Sequence, residues 1–165
     1  SVARHALRYL VEQLREVKAK LVRIDSDLVA VARSSSACRR LMTIPGVGVI
    51  TASALVSSMR DPADFKSGRH FSAWLGLVPK QHSTGGKEQL GSISKRGNGY
   101  LRKLLIHGGR SVMRWRGRAW GWLARLRDRR PANIAAVAIA NKTARVVWAL
   151  LRFGGTYGAP RGSVA

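Results

Sequence analysis

Apolar side chains recur at alternating intervals of three and four residues along the first part of the chain. This spacing is the pattern that a coiled coil requires. It predicts one long helix over residues 4–33 that joins two copies of the chain or two domains, and a helix folded back on the domain's own core is the alternative. We therefore assign residues 1–36 to a coiled-coil or dimerisation helix. The apolar positions, which we call the seam, are Leu7, Leu10, Leu14, Val17, Leu21, Ile24, Leu28 and Val31.

Two further apolar stretches flank the sequence Pro45-Gly46-Val47-Gly48 and predict a helix, a tight turn and a second helix over residues 41–57. Glycine permits a sharp turn, and the backbone N–H groups at the start of the second helix can bind a phosphate. The pattern matches a helix-hairpin-helix motif, in which Gly46 and Gly48 would approach the DNA backbone. A plain turn that packs two helices together is the alternative.

The rest of the chain is also predicted to be helical. Apolar spacing favours a short helix over residues 69–76, a helix over residues 100–115 and a last helix over residues 133–153, which is apolar on most faces and therefore belongs to the core. Strand patterns are weak. The predicted fold class is thus mainly α, with a compact helical domain over residues 37–155 and a flexible tail over residues 156–165.

Residues 80–99 differ from their surroundings because they are polar, glycine-rich and basic. A segment of this length predicts a functional loop. A serine of this segment, such as Ser83 or Ser94, could attack a phosphodiester if a base removed the hydroxyl proton and nearby cations stabilised the developing charge. A loop that only binds phosphate is the alternative, and residue types alone favour it. The cations that we predict to contact nucleic acid are Lys80, Lys87, Lys95, Arg96, Arg102 and Lys103.

The charge of the chain points to a polyanionic partner. The formal net charge is +22, of which +18 lies in residues 65–165. Nucleic acid is the expected partner and an anionic membrane surface is the alternative. The second half carries only two acidic residues, Glu88 and Asp128, so we predict no metal site in this chain. The single cysteine, Cys38, excludes a disulfide framework.

Three segments in this order resemble a known family. They are Ile44-Pro45-Gly46-Val47-Gly48 with Thr51-Ala52, then Phe71-Ser72-Ala73-Trp74-Leu75-Gly76-Leu77-Val78-Pro79, then Ser83-Thr84-Gly85-Gly86-Lys87 with Gly91-Ser92-Ile93-Ser94-Lys95-Arg96-Gly97-Asn98 and Tyr100-Leu101-Arg102. The set resembles the C-terminal transposase domain of the insertion-sequence family numbered one hundred and ten, which also contains the Piv/MooV invertases. The resemblance is close over residues 40–115.

The resemblance implies a domain that supplies a serine nucleophile for DNA recombination, with Ser83 as the first candidate and Ser94 as the second. It also implies phosphate contacts by Lys95, Arg96 and Arg102. In that family a RuvC-like domain binds Mg²⁺ through four acidic residues, a structured bridge RNA selects the DNA sites, and the protein forms dimers or tetramers. The expected location is the bacterial cytoplasm, at the nucleoid.

This sequence lacks a RuvC-like half, so Mg²⁺ is expected only in that absent domain. Residues 1–165 alone should bind nucleic acid without completing strand exchange. A non-catalytic helix-hairpin-helix module that binds nucleic acid is the alternative function.

Overall fold

The computed structural model describes residues 1–84, 87–116 and 121–158, and it is mainly helical, as predicted. In chain order the elements are α1 (Val2–Ser34), α2 (Ser36–Met42), α3 (Val49–Ser58), a 3-10 helix (Pro62–Asp64), α4 (Gly68–Trp74), β1 (Pro79–Thr84), β2 (Lys87–Ile93), α5 (Gly99–Arg116), α6 (Gly121–Arg129) and α7 (Ala132–Phe153). Most of the predicted tail lies outside the described residues.

Helix α1 is one continuous helix, as the seam predicts, but most of it lies away from the core. Its contacts with the rest of the domain are made with α2 and α3, and Ala32 is its buried residue. The seam residues from Leu7 to Ile24 are 53–61% exposed. Within the described residues, the seam from Leu7 to Ile24 is therefore not folded back on the domain's own core, whereas Leu28 is partly buried. Its pairing in a coiled coil stays a prediction.

The core forms where α7 packs against α4 and α5. Small side chains let the helices approach closely, and a Cβ added at Gly109 would lie 2.6 Å from the backbone oxygen of Ala136. Phe71 and Leu105 are buried in the same cluster. Burying side chains of this size stabilises the fold by roughly 1.5–3 kcal/mol each.

Helix α7 also has an exposed side, which the prediction of a core helix missed. Ala140, Ala144 and Val147 are buried, whereas Ile134 is 48% exposed. Within the described part of the chain, α7 is the one helix that is long and apolar enough to cross a membrane. Its buried small residues are packed as in the core helix of a domain.

Most of the described part of residues 80–99 is paired in strands, whereas the prediction was a loop throughout, and residues 94–98 are irregular. Strands β1 and β2 form an antiparallel hairpin in which Ser83 is opposite Glu88 and Pro79 is opposite Ile93. Hydrogen bonding between the strands satisfies backbone groups that a loop would expose to water. The polar side chains concealed this pairing, although Gly85-Gly86 between two short runs is a sequence signal for a hairpin.

Candidate nucleic-acid interface

The base of the hairpin is joined to α5 by residues 94–98, which we call the basic turn. Its backbone is hydrogen-bonded to the segment that follows α4. The Ser94 N–H donates to the Val78 carbonyl at 2.9 Å, and the Lys95 N–H donates to the Gly76 carbonyl at 3.2 Å. The basic turn is therefore fixed to the core by main-chain contacts.

Two glycines allow this close approach. Gly76 has φ of +71° and Gly97 has φ of +93°, values that favour glycine. A Cβ at Gly76 would lie 2.1 Å from the Arg96 backbone oxygen, and a Cβ at Gly97 would lie 1.8 Å from the Trp74 backbone oxygen. A larger residue at either position would force the two segments apart.

The basic turn also includes an unusual backbone conformation. Lys95 has φ of +56°, and it is the non-glycine residue with positive φ in the described part of the chain. This left-handed conformation costs roughly 1–2 kcal/mol for an L-residue. At the end of the basic turn, Asn98 caps the start of α5, because its Oδ1 accepts hydrogen bonds from the Tyr100 and Leu101 N–H groups at 3.1 and 3.0 Å. The surrounding contacts thus hold Lys95 in a strained geometry.

The predicted cations divide into two groups. Lys80, Lys95, Arg96 and Lys103 are exposed around the base of the hairpin and the start of α5. Arg102 instead is partly buried, and its guanidinium donates to the Leu75 carbonyl at 3.0 Å. Arg102 therefore ties α5 to the end of α4. The remaining cation, Lys87, begins β2, and its side chain lies outside the described part.

The two candidate nucleophiles lie at different levels of the hairpin. Ser94 is half-buried at its base. Ser83 lies four residues beyond Pro79 on β1, which places it roughly 13 Å farther along the strand at a rise of about 3.3 Å per residue. The structure describes the backbone of Ser83 and not its side chain. Because of this separation, the two serines could not attack the same phosphate from one binding position.

Gly46 has a structural role that the motif alone did not reveal. Its φ is +84°, and a Cβ there would lie 2.6 Å from the Gly108 backbone oxygen, so it lets the turn between α2 and α3 pack against α5. Gly48 has open space beside it and precedes the first residue of α3. The nearby concavity is lined by Asp25, whose carboxylate would repel a phosphate. Phosphate binding at this turn stays a prediction.

The described residues offer no cluster of metal-ligating side chains. Among them, no three His, Cys, Asp or Glu side chains are grouped as metal ligands. A site for Mg²⁺ usually needs one or more carboxylates in suitable geometry. That Mg²⁺ binds only outside this chain stays a prediction.

A family model described as "Transposase IS116/IS110/IS902 family" matches residues 38–121. The chain belongs to this transposase family. The matched region contains both glycine contacts, the hairpin and the basic turn. It thus confirms the resemblance that the three ordered segments indicate.

Curated transposases are similar to the chain over most of its length. A "Probable family 20 transposase" of Pseudomonas aeruginosa is 49% identical over 152 residues, which cover 88% of this chain and 44% of that protein. The "Transposase for insertion sequence element IS1111A" of Coxiella burnetii is 47% identical over 137 residues, which cover 81% of this chain and 38% of that protein. The "Transposase for insertion sequence element IS1328" of Yersinia enterocolitica is 41% identical over 144 residues, covering 85% and 41%. The chain thus spans less than half of the length of each of these relatives.

Proposed function

We propose that this chain is the part of a transposase that binds DNA and supplies a serine nucleophile for recombination. The observation that carries the proposal is the basic turn. It holds Lys95 in a strained backbone conformation, with Arg96 beside it, at the base of the hairpin that includes Ser83. Strained residues concentrate where binding or catalysis requires a fixed geometry.

The proposed reaction is a transesterification in two steps. The serine oxygen, after loss of its proton, attacks a DNA phosphorus and forms a phosphoserine ester, while the deoxyribose oxygen leaves and takes up a proton. A free hydroxyl of another DNA strand then attacks the same phosphorus and releases the serine. Cations that surround the phosphate stabilise the pentacoordinate transition state. Lys95 and Arg96, exposed at the base of the hairpin, are suited to this role if Ser94 attacks, whereas with Ser83 as the nucleophile they hold phosphates farther along the same DNA backbone.

Ser83 is the proposed nucleophile and Ser94 the alternative. The position of Ser83 favours it on physical grounds, because a residue far along a hairpin can enter a DNA groove while the base of the hairpin stays fixed to the core. Ser94 is half-buried, and its backbone is bonded to Val78, so a phosphate must approach the core to reach it.

The complete reaction needs partners outside this chain. In the proposal, a RuvC-like domain provides the Mg²⁺ site, a structured bridge RNA selects the DNA, and α1 joins copies of the protein through the seam. The exposure of the seam supports the last of these, because apolar side chains in this spacing gain stability when a second helix covers them. A bacterial cytoplasmic location at the nucleoid follows from the same function.

A trapping assay tests the proposal. Full-length protein, its RNA and nicked DNA are incubated, and a denaturing gel compares wild type with Ser83→Ala and Ser94→Ala. We expect a covalent protein–DNA adduct that Ser83→Ala abolishes and Ser94→Ala retains. Loss of the adduct only in Ser94→Ala would identify Ser94, at the base of the hairpin, as the nucleophile. An absence of adduct in every form, with DNA binding intact, would overturn serine catalysis.

The second candidate function is a non-catalytic nucleic-acid-binding module. The exposed cations Lys80, Lys95, Arg96 and Lys103 favour it, because they could hold a phosphate backbone without any nucleophile. The two functions differ in the covalent adduct, which only the enzyme can form.

A further inference from the structure

A large groove runs along the exposed side of α7. It is bounded by the start of α4, the base of the hairpin, α6 and α7, and its volume is about 1440 Å³. This exceeds the roughly 300–1,000 Å³ of a typical small-molecule site and suits a segment of a polymer. We call it the α7 groove and define it by Arg69, Ser92, Trp122, Ile134, Arg145 and Trp148.

The walls of the α7 groove are mostly apolar and include two indole rings. Lys142 Nζ lies 4.6 Å from the centroid of the Trp122 ring. The Trp148 Nε1–H donates to the Pro62 carbonyl at 3.0 Å, and its ring is perpendicular to the Phe153 ring at a centroid distance of 5.5 Å. These contacts orient both rings in the unliganded protein. Planar apolar walls of this kind can pack against unpaired nucleobases.

The rim of the groove is cationic. Arg69, Lys142 and Arg145 are exposed, and the lining residues include no Asp or Glu among those that the structure describes. Cations beside aromatic and apolar walls are the combination that binds single-stranded nucleic acid. A duplex keeps its bases stacked inside and could not bring them to these walls. A second copy of a chain with net charge +22 would be repelled by the same rim.

Two polar groups of the α7 groove are engaged within the protein. The Asn141 side chain donates to the Leu77 carbonyl at 3.1 Å, and Asn133 accepts a hydrogen bond from Arg110 at 3.2 Å. A ribose 2′-hydroxyl that packs with its base against the apolar walls, away from the cationic rim, would lose water and meet neither of these two groups, which is unfavourable. Deoxyribose has no such group, so the lining favours DNA over RNA.

We infer that the α7 groove binds a single-stranded segment of DNA, with its bases against the apolar walls and its phosphates at Lys142 and Arg145. The inference rests on the proposed function, because recombination is the process that would expose single-stranded DNA to this protein. Ser92 on β2 lines the groove, so a strand held there would lead to the hairpin with Ser83.

The first test measures binding of a fluorescent oligothymidine to the full chain by fluorescence anisotropy. Ile134→Ala removes a half-exposed apolar side chain from the groove, and Val22→Ala, on an exposed part of α1 outside the seam, is the matched control. We expect Ile134→Ala to weaken binding about fivefold and Val22→Ala to leave it unchanged. Arg145→Gln should likewise weaken binding more than Arg127→Gln, an exposed arginine on α6 that does not line the groove.

The second test identifies the contact directly. Oligonucleotides with iodouracil are photocrosslinked to the chain, and mass spectrometry should place the crosslinks at Trp122 or Trp148. Crosslinks only elsewhere, or equal binding by Ile134→Ala and Val22→Ala, would overturn the inference. If Ile134→Ala weakened the binding of an RNA oligonucleotide as much as the binding of DNA, the choice of DNA as the ligand would be wrong. If Ile134→Ala lost self-association while its DNA binding stayed unchanged, the inference would be wrong and the groove would be an interface between copies of the chain.

The two proposals fail separately. If Ile134→Ala binds single-stranded DNA normally while full-length protein still forms the covalent adduct, only the α7 groove inference is wrong. If Ile134→Ala weakens binding but no adduct forms in any protein, only the proposed catalysis is wrong.

Discussion

Gly76 and Gly97 bring two backbone segments into contact although they are separated by about twenty residues in the sequence. The contact positions Lys95 and Arg96, because the Lys95 N–H donates to the Gly76 carbonyl and the Gly97 backbone lies against the Trp74 backbone oxygen. The sequence motif includes both glycines, but it does not state which backbone each one faces. That information requires the fold, in which Gly97 lies against Trp74 and Gly76 lies against Arg96.

Gly97→Ala tests this contact. The new Cβ would lie 1.8 Å from the Trp74 oxygen in a left-handed conformation, so we expect the free energy of unfolding in urea to fall by more than about 2 kcal/mol. Gly155→Ala is the control, since Gly155 has φ of +84° but no atom within 4 Å of the added Cβ. It should lose only about 1 kcal/mol. Equal losses would mean that backbone conformation, and not the contact, requires glycine.

The elements of the fold were predictable where apolar spacing is regular. Helices α1, α5 and α7 match their predicted ranges within a few residues because each buries or presents an apolar stripe. The hairpin was not predicted, because its strands carry polar residues and pair through the backbone. The exposed side of α7 was also missed. Its residues are apolar, and sequence alone does not distinguish an apolar groove from a buried core.

Substitutions on α1 test whether the seam joins copies of the chain. Leu14 and Leu21 are 53% and 54% exposed on the seam, and Val22 is 69% exposed outside it. We expect Leu14→Lys combined with Leu21→Lys to lower the mass of the assembly in sedimentation, because each buried seam leucine would contribute roughly 1.5–3 kcal/mol. Val22→Lys should leave the mass unchanged. If all variants and wild type sediment as the same monomer, the seam does not join copies of this chain.

Positive charge is concentrated in the half of the molecule that contains the hairpin. Residues 65–165 have a net charge of +18 and residues 1–64 have +4. This asymmetry, with the exposed cations around the basic turn, gives one face that attracts a polyanion. Composition alone predicted this face. It could not predict that Arg102 would be partly withdrawn into a structural contact with Leu75.

The salt dependence of DNA binding reports how many phosphates this face contacts. Each phosphate contact that is removed should reduce the slope of log K against log salt by about 0.9. We expect a reduction near that value for Arg96→Gln, whose arginine is exposed on the basic turn, and little change for Arg8→Gln on α1. The same slope for both variants would show that the basic turn does not contact phosphate.

In the proposed reaction, a serine of the hairpin becomes covalently linked to DNA. The most direct measurement is mass spectrometry of the trapped adduct from the full-length protein, after digestion with nuclease and protease. We expect a nucleotide attached through a phosphoester to Ser83, in a peptide that Ser83→Ala lacks. A nucleotide attached to a residue outside the hairpin and the basic turn, or no attached nucleotide under conditions that exchange strands, would contradict it.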